Sequence, residues 1–157
     1  MWWTGLALAV GGSLLAVLLL ELLRRRNLRQ MARARKRFRQ QREHLEANFF
    51  RAAGLSGKPR GLRWLNCEWE SDVLFARDRK NGQMIALVGV TIQFEAVEGG
   101  DMEGLPAVDN LRNASGVFYC ERGRWLTTGK VVFNLNPDEA LNHFQQQYER
   151  IEIEPTA

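Results

Sequence analysis

Cysteine and histidine are scarce in this chain of 157 residues, with two of each. Cys67 and Cys120 are too few for a disulfide framework and suit a reducing compartment. With His44 and His143 they are the only soft metal ligands, and no CxxC or HxxxH pair is formed. That excludes the usual zinc spacings. No GxSxG is present, so the common serine-hydrolase turn is absent too. Four prolines are spread thinly, and none falls between Arg24 and Ala53, where glycine is also missing. A long unbroken helix is expected there.

The sharpest deficits are of charge. Trp2 to Leu23 has no Lys or Arg and a single acid, Glu21. Arg24 to Arg42 has no acid at all and ten Lys or Arg. The first stretch is 22 residues, which as a helix spans roughly 33 Å, enough for a hydrocarbon core of about 30 Å. A transmembrane helix is therefore expected over residues 1–23. Trp2 and Trp3 would sit at one interface, where amphipathic rings settle. Arg24, Arg25, Arg26 and Arg29 would meet anionic lipid at the other.

Three other readings fit less well. A cleaved leader wants a basic start, a short apolar stretch and a small-residue cleavage site. Met-Trp-Trp followed by a long apolar run offers the reverse. A buried core helix is rarely so long an apolar run. A surface-lying amphipathic helix needs a polar face, which Leu6–Leu20 lacks. Because the basic flank follows the span, the positive-inside rule places the N-terminus outside and the bulk of the chain in the cytoplasm, at an inner membrane if the source is bacterial. Gly5, Ala9 and Ser13 recur every four residues. Such a stripe lets two transmembrane helices approach and form a homodimer, although small residues are common in membrane helices anyway.

The net charge of +4 averages two unlike parts. From Glu43 onward there are 12 basic and 17 acidic residues. The basicity thus belongs to residues 24–53, read as a cytoplasmic basic helix, and does not mark the following domain as a nucleic-acid binder. Met31, Phe38 and Leu45 are seven apart and hint at a weak coiled coil. Ala34, Gln41 and Asn48 are poor partners for that seam. Packing of Phe38–Ala53 back on the domain is the preferred expectation. A straight helix leaves the lipid's Debye length of about 8 Å within about five residues. Arg33, Arg35, Lys36, Arg37, Arg39 and Arg42 therefore carry charge beyond what anchoring uses. They are candidate contacts for an acidic partner, nucleic acid included, though a solvated or lipid-hugging basic face explains them more simply.

Residues 54–61 hold three glycines and a proline and read as a linker. Gly57-Lys58 is followed by Pro59, which excludes a phosphate-binding loop. Residues 62–157 read as an α+β domain: a small antiparallel sheet packed by a C-terminal helix. Strands are expected at Leu62–Trp69 and Val73–Arg79. Asn81-Gly82 then turns the chain into a long strand, Met84–Val97. On that strand the even positions from Met84 to Ala96 are apolar. The odd positions are apolar early and polar late, so its first half is expected to be covered on both sides. Gly89 marks a bulge or bend.

Glu98–Gly116 reads as a long loop with one helical turn. Its acids do not fit an EF-hand. Val117–Glu121 and Arg124–Leu126 form a hairpin, and Lys130–Leu135 a last strand. Asn136, Pro137 and Glu139 signal a capped helix whose stripe, Ala140, Leu141, Phe144, Tyr148 and Ile151, should cover the sheet's apolar face.

Chemistry is weakly signalled. Cys67 or Cys120 with His143 is a conceivable nucleophile and base, but buried thiols and a surface histidine are the simpler reading. Glu68, Glu70 and Asp72 are read as edge charges that discourage aggregation. Trp64, Trp69 and Trp125 are read as core. No cofactor, metal or catalytic residue is expected. The expected function is a non-enzymatic, single-pass membrane protein whose cytoplasmic domain recruits or assembles a protein partner. The alternatives are a membrane-tethered small enzyme or ligand-binding domain with a pocket between sheet and helix, and a tether for nucleic acid or acidic polymer.

Overall fold

A computed structural model describes residues 2–152, with side chains described from Leu14 to Glu152. Trp2, Trp3 and the stripe Gly5, Ala9, Ser13 therefore lie outside the described side chains, and residues 153–157 of the acidic tail lie outside the description altogether.

The chain divides into two units, residues 1–39 and 40–157. The first is the body of one helix, α1 (Trp2–Gln40). It runs without a break through the apolar stretch and the arginines. Among the described residues no helix is long and apolar enough to cross a membrane. Gln41 leaves helical geometry at ψ 8°, and a second helix, α2 (Arg42–Leu55), begins.

The second unit is α+β. Its six-stranded antiparallel sheet has the order β4-β3-β2-β1-β6, with β5 also on β3. The strands are β1 (Leu62–Asp78), β2 (Met84–Ala96), β3 (Arg112–Glu121), β4 (Arg124–Leu126), β5 (Val131–Phe133) and β6 (Tyr148–Arg150). The Asn-Gly turn closes β1 on β2, pairing Arg77 with Met84. Gly82 takes φ 71° and donates its N–H to Asp78 O. Both residues of the Arg122-Gly123 turn also adopt positive φ, as a tight hairpin requires.

Several sequence expectations change, beginning with the break at Gln41 in the helix expected to run unbroken from Arg24 to Ala53. Leu62–Trp69 and Val73–Arg79 are one strand, β1. The polar triplet Glu70-Ser71-Asp72 is a bulge opposite Gly89, with register shifting between Trp69 and Val73. β3 begins at Arg112, because Arg112–Gly116 pair with Val88–Ile92 and shorten the loop. The C-terminal helix, α3 (Pro137–His143), is only seven residues long. Its cap is as expected: Asn136 Oδ1 accepts from the Glu139 N–H, and Glu139 answers the Asn136 N–H. The helix ends early because Tyr148–Arg150 pair with Ala76–Asp78 on β1. Pairing offers those residues, with Tyr148 a strong strand former, more than another helical turn would.

Both faces of the sheet are covered, by different helices. α2 buries Leu45, Phe49 and Ala53. Phe49 stands edge-on to Trp64 and Trp69 and against Phe118. Trp64 and Phe94 meet at 5.1 Å, and Phe75 and Trp125 at 6.0 Å, in the same layer. α3 packs on the reverse face, where Ala140 and Leu141 join Ala76, Ile85, Leu87 and Val117. The α3 stripe thus lies on the odd positions of β2, not on the wholly apolar even face that the sequence nominated. α2 took that face. This is why β2 is buried on both sides from Ile85 to Val90.

Candidate interaction surface at the β1 edge

β1 is the strand with most backbone to spare. β2 pairs along nearly its whole length, from Leu62 to Arg77. Its other edge carries β6 only at Ala76–Asp78, extended by the Ile151 N–H donating to Phe75 O. From Arg63 to Trp69 no strand lies beyond β1 among the described residues. Alternate N–H and C=O groups of an edge strand point outward, ready to pair.

One residue closes part of this edge. Arg42, at the start of α2, donates to Ser71 O at 2.5 Å and to Glu70 O. Its Nε pairs with Glu46 at 2.6 Å. The bulge carbonyls are thereby satisfied by a guanidinium fork, the geometry in which arginine excels. Above the bulge, the Glu70 carboxylate lies over Gly89, where a Cβ would meet it.

Two grooves flank the edge. One, about 600 Å³, lies between α2 and β1 and is lined by Glu46, Ala47, Phe50, Arg51, Leu65, Asn66, Cys67 and Trp69. The other, about 710 Å³, lies where β1, β6 and α3 meet. Glu70, Asp72, Asp138, Glu152 and Arg150 bring four carboxylates and one cation to it. Arg150 is ion-paired with Asp138.

Burial pushes the Cys67 thiol up to about 12. Desolvation disfavours the thiolate, so this is an inert thiol at neutral pH. At pH 8 the native full-length chain should be alkylated at Cys67 roughly a thousandfold more slowly than a free thiol, from thiolate fraction alone. Iodoacetamide labelling read by mass spectrometry checks this. Labelling at the free-thiol rate would show that the groove does not shield the sulfur.

The other sequence-nominated residues are dispersed. Arg24, Arg25, Arg26 and Arg29 are exposed on α1, where Arg25 pairs with Glu21 at 3.3 Å. Arg33, Lys36, Arg37 and Arg39 are exposed on the same helix and Arg35 is half-buried. Arg42 belongs to the second unit and is engaged as described. Trp64 and Trp125 are buried, and Trp69 is half-buried between core and groove. His143 is exposed and stands edge-on to Phe144 at 4.8 Å. No cluster of His, Cys, Asp and Glu among the described residues has metal-binding geometry. What the sequence did not reveal is that an unpaired strand edge, a shallow apolar groove and the Glu68–Glu70 charges share one place. The available signals were the period-two alternation in Leu65–Trp69 and the charges Glu68, Glu70 and Asp72, read as marking a sheet edge.

Compared with known protein families, curated proteins and solved structures, the chain matches none.

Proposed function

We propose that this chain is a single-pass membrane protein, N-terminus outside, whose cytoplasmic α+β domain recruits or assembles a protein partner at the membrane. The observation that carries the anchor is the exposure of α1. Its eight large apolar residues between Leu14 and Leu23 are all at least half exposed, from 51% at Leu19 to 66% at Leu14 and Leu20. They occupy every side of the helix. Water does not tolerate such a surface, whereas a bilayer accepts it on all sides and satisfies the backbone by the helix itself. The ten cations that follow in the sequence supply the orientation. The recruitment half of the reading rests on the open β1 edge, since strand addition is a recurrent mode of peptide recognition.

Alkaline extraction of membranes from cells expressing the full chain tests the anchor. The protein should stay in the pellet, and release into the wash would overturn the reading. Reporters fused after Ala157 should be active only in the cytoplasm, and an exported signal would reverse the orientation.

A second reading places a small ligand in the groove between sheet and α3. It has the convergence of Arg150 with Glu70, Asp72 and Glu152 in its favour. Arg150 is already bound to Asp138, so the groove presents mainly surplus carboxylate and ranks second.

A further inference from the structure

We propose that Leu65–Trp69 of β1 accepts an extended segment of a protein partner in which apolar residues alternate with Lys or Arg. The proposal rests on the recruitment reading above and names the partner's chemistry.

An added strand would lie about 4.8 Å from β1, pair with its outward backbone groups, and send successive side chains to opposite faces. The two faces of this edge differ. On the α2 side, Leu65, Cys67 and Trp69 form the floor of the 600 Å³ groove, with Ala47 and Phe50 as its wall. Leu65, at the register shift between Trp64 and Asn66, is 48% exposed there. On the reverse side stand Glu68 and Glu70, both exposed and without an ion pair among the described residues, the Glu70 carboxylate turned over Gly89 of β2. α3 packs over Ala76, Ile85 and Leu87, at the other end of β1, and leaves this end open. A docked strand therefore meets on one face a mainly apolar groove, lined also by Glu46, Arg51 and Asn66, and on the other the Glu68 carboxylate with Glu70 beyond it. Its length is limited, since Arg42 already holds the carbonyls of Glu70 and Ser71. About five residues, some 17 Å of strand, fit before that stop.

Other occupants fit less well. Two antiparallel copies in register around Trp69 would set Glu68 against Glu70, and like charges facing across strands are destabilising. The chain's own tail carries Glu154, the wrong sign. Its basic segment is helical in α1 and cannot add as a strand. The two carboxylates thus disfavour self-pairing and select a basic partner at once.

The test uses the full-length chain in neutral detergent and a fluorescent peptide of alternating Val and Lys, with a Val/Glu peptide as control. The Val/Lys peptide should bind and slow amide exchange at Leu65–Trp69. The double variant E68K/E70K, checked for an unchanged melting temperature, should lose at least tenfold in affinity for it and gain for the Val/Glu peptide. Equal binding to variant and wild type, or protection elsewhere in the chain, would overturn the proposal. So would edge-mediated dimers of the wild type, or binding that appears only after residues 153–157 are removed. In parallel, a photo-crosslinking residue is placed at Leu65, Leu105 or Arg124 in cells. A partner captured only at Leu105 or Arg124 overturns the edge site and leaves recruitment standing. Capture at none of the three overturns recruitment, and this proposal with it.

Discussion

Phe49→Ala is expected to cost about 3–5 kcal/mol, the range for removing a fully buried aromatic ring. Phe49 is 0% exposed and sits at the centre of the larger core layer. Its ring lies 6.2 Å from Trp64, 5.0 Å from Trp69 and 5.6 Å from Phe118. Both tryptophans belong to β1 and Phe118 to β3, so one side chain from α2 ties strands on both sides of β2. α2 has only Leu45 and Ala53 as further buried residues. Neither fills the void, because Leu45 packs a full turn back and Ala53 is small. Domains of this size have net stabilities of about 5–15 kcal/mol, so the loss approaches a third or more of the total. Neighbouring Phe50 is half-buried at the groove wall, and Phe50→Ala should cost much less. Urea unfolding of both full-length variants, followed by tryptophan fluorescence, checks the contrast. Equal costs would mean that α2 does not insert Phe49 as described.

How far the sequence speaks depends on range. The Asn81-Gly82 and Arg122-Gly123 turns and the Asn136–Glu139 cap were all legible, because each is decided within four residues. The double coverage of β2 was legible from its alternation. The wrong assignment was which helix covers which face. The stripe of α3 is strong, but seven residues of helix reach only Ile85, Leu87 and their neighbours. Packing of Phe38–Ala53 on the domain was the preferred expectation, and α2 buries Leu45, Phe49 and Ala53 there, but its apolar positions did not say which face it would take. The break expected between Leu62–Trp69 and Val73–Arg79 falls on Glu70-Ser71-Asp72, three polar residues in a row. They are a bulge, held by Arg42 from 28 and 29 residues away and faced by Gly89. Composition cannot express such a partnership. By charge alone Arg42 was grouped with Arg33, Arg35, Lys36, Arg37 and Arg39. Tertiary contact makes it a bracket for the β1 edge.

The placement of α2 over the sheet rests on glycine as much as on Phe49, and this sets up the second large effect. Gly129 has φ 73° in the segment joining β4 to β5. A Cβ there would stand 2.7 Å from Ala53 Cα and 2.8 Å from Ala52 C, and would also strike Ala53 N. Two costs therefore act together. A left-handed residue with a Cβ loses about 1–2 kcal/mol. Overpacking adds typically 1–3 kcal/mol. The obstacle is helix backbone, which cannot rotate away as a side chain can, so the upper part of each range applies. Gly129→Ala should cost about 3 kcal/mol or more and loosen α2, raising amide exchange from Ala47 to Ala53. Gly116 makes a useful comparison. Its Cβ would lie 2.7 Å from the Trp69 ring and 3.2 Å from Phe49, a steric cost without a positive φ. Gly89→Ala forms the other control, because the group in its way is the Glu70 carboxylate, the free end of an exposed side chain. The expected order of destabilisation is Gly129, then Gly116, then Gly89, read as shifts in the urea midpoint of the full-length chain. If Gly89→Ala proves the most damaging, Glu70 is fixed in place, and the bulge at Glu70–Asp72 is a rigid anchor of the edge instead of a yielding one.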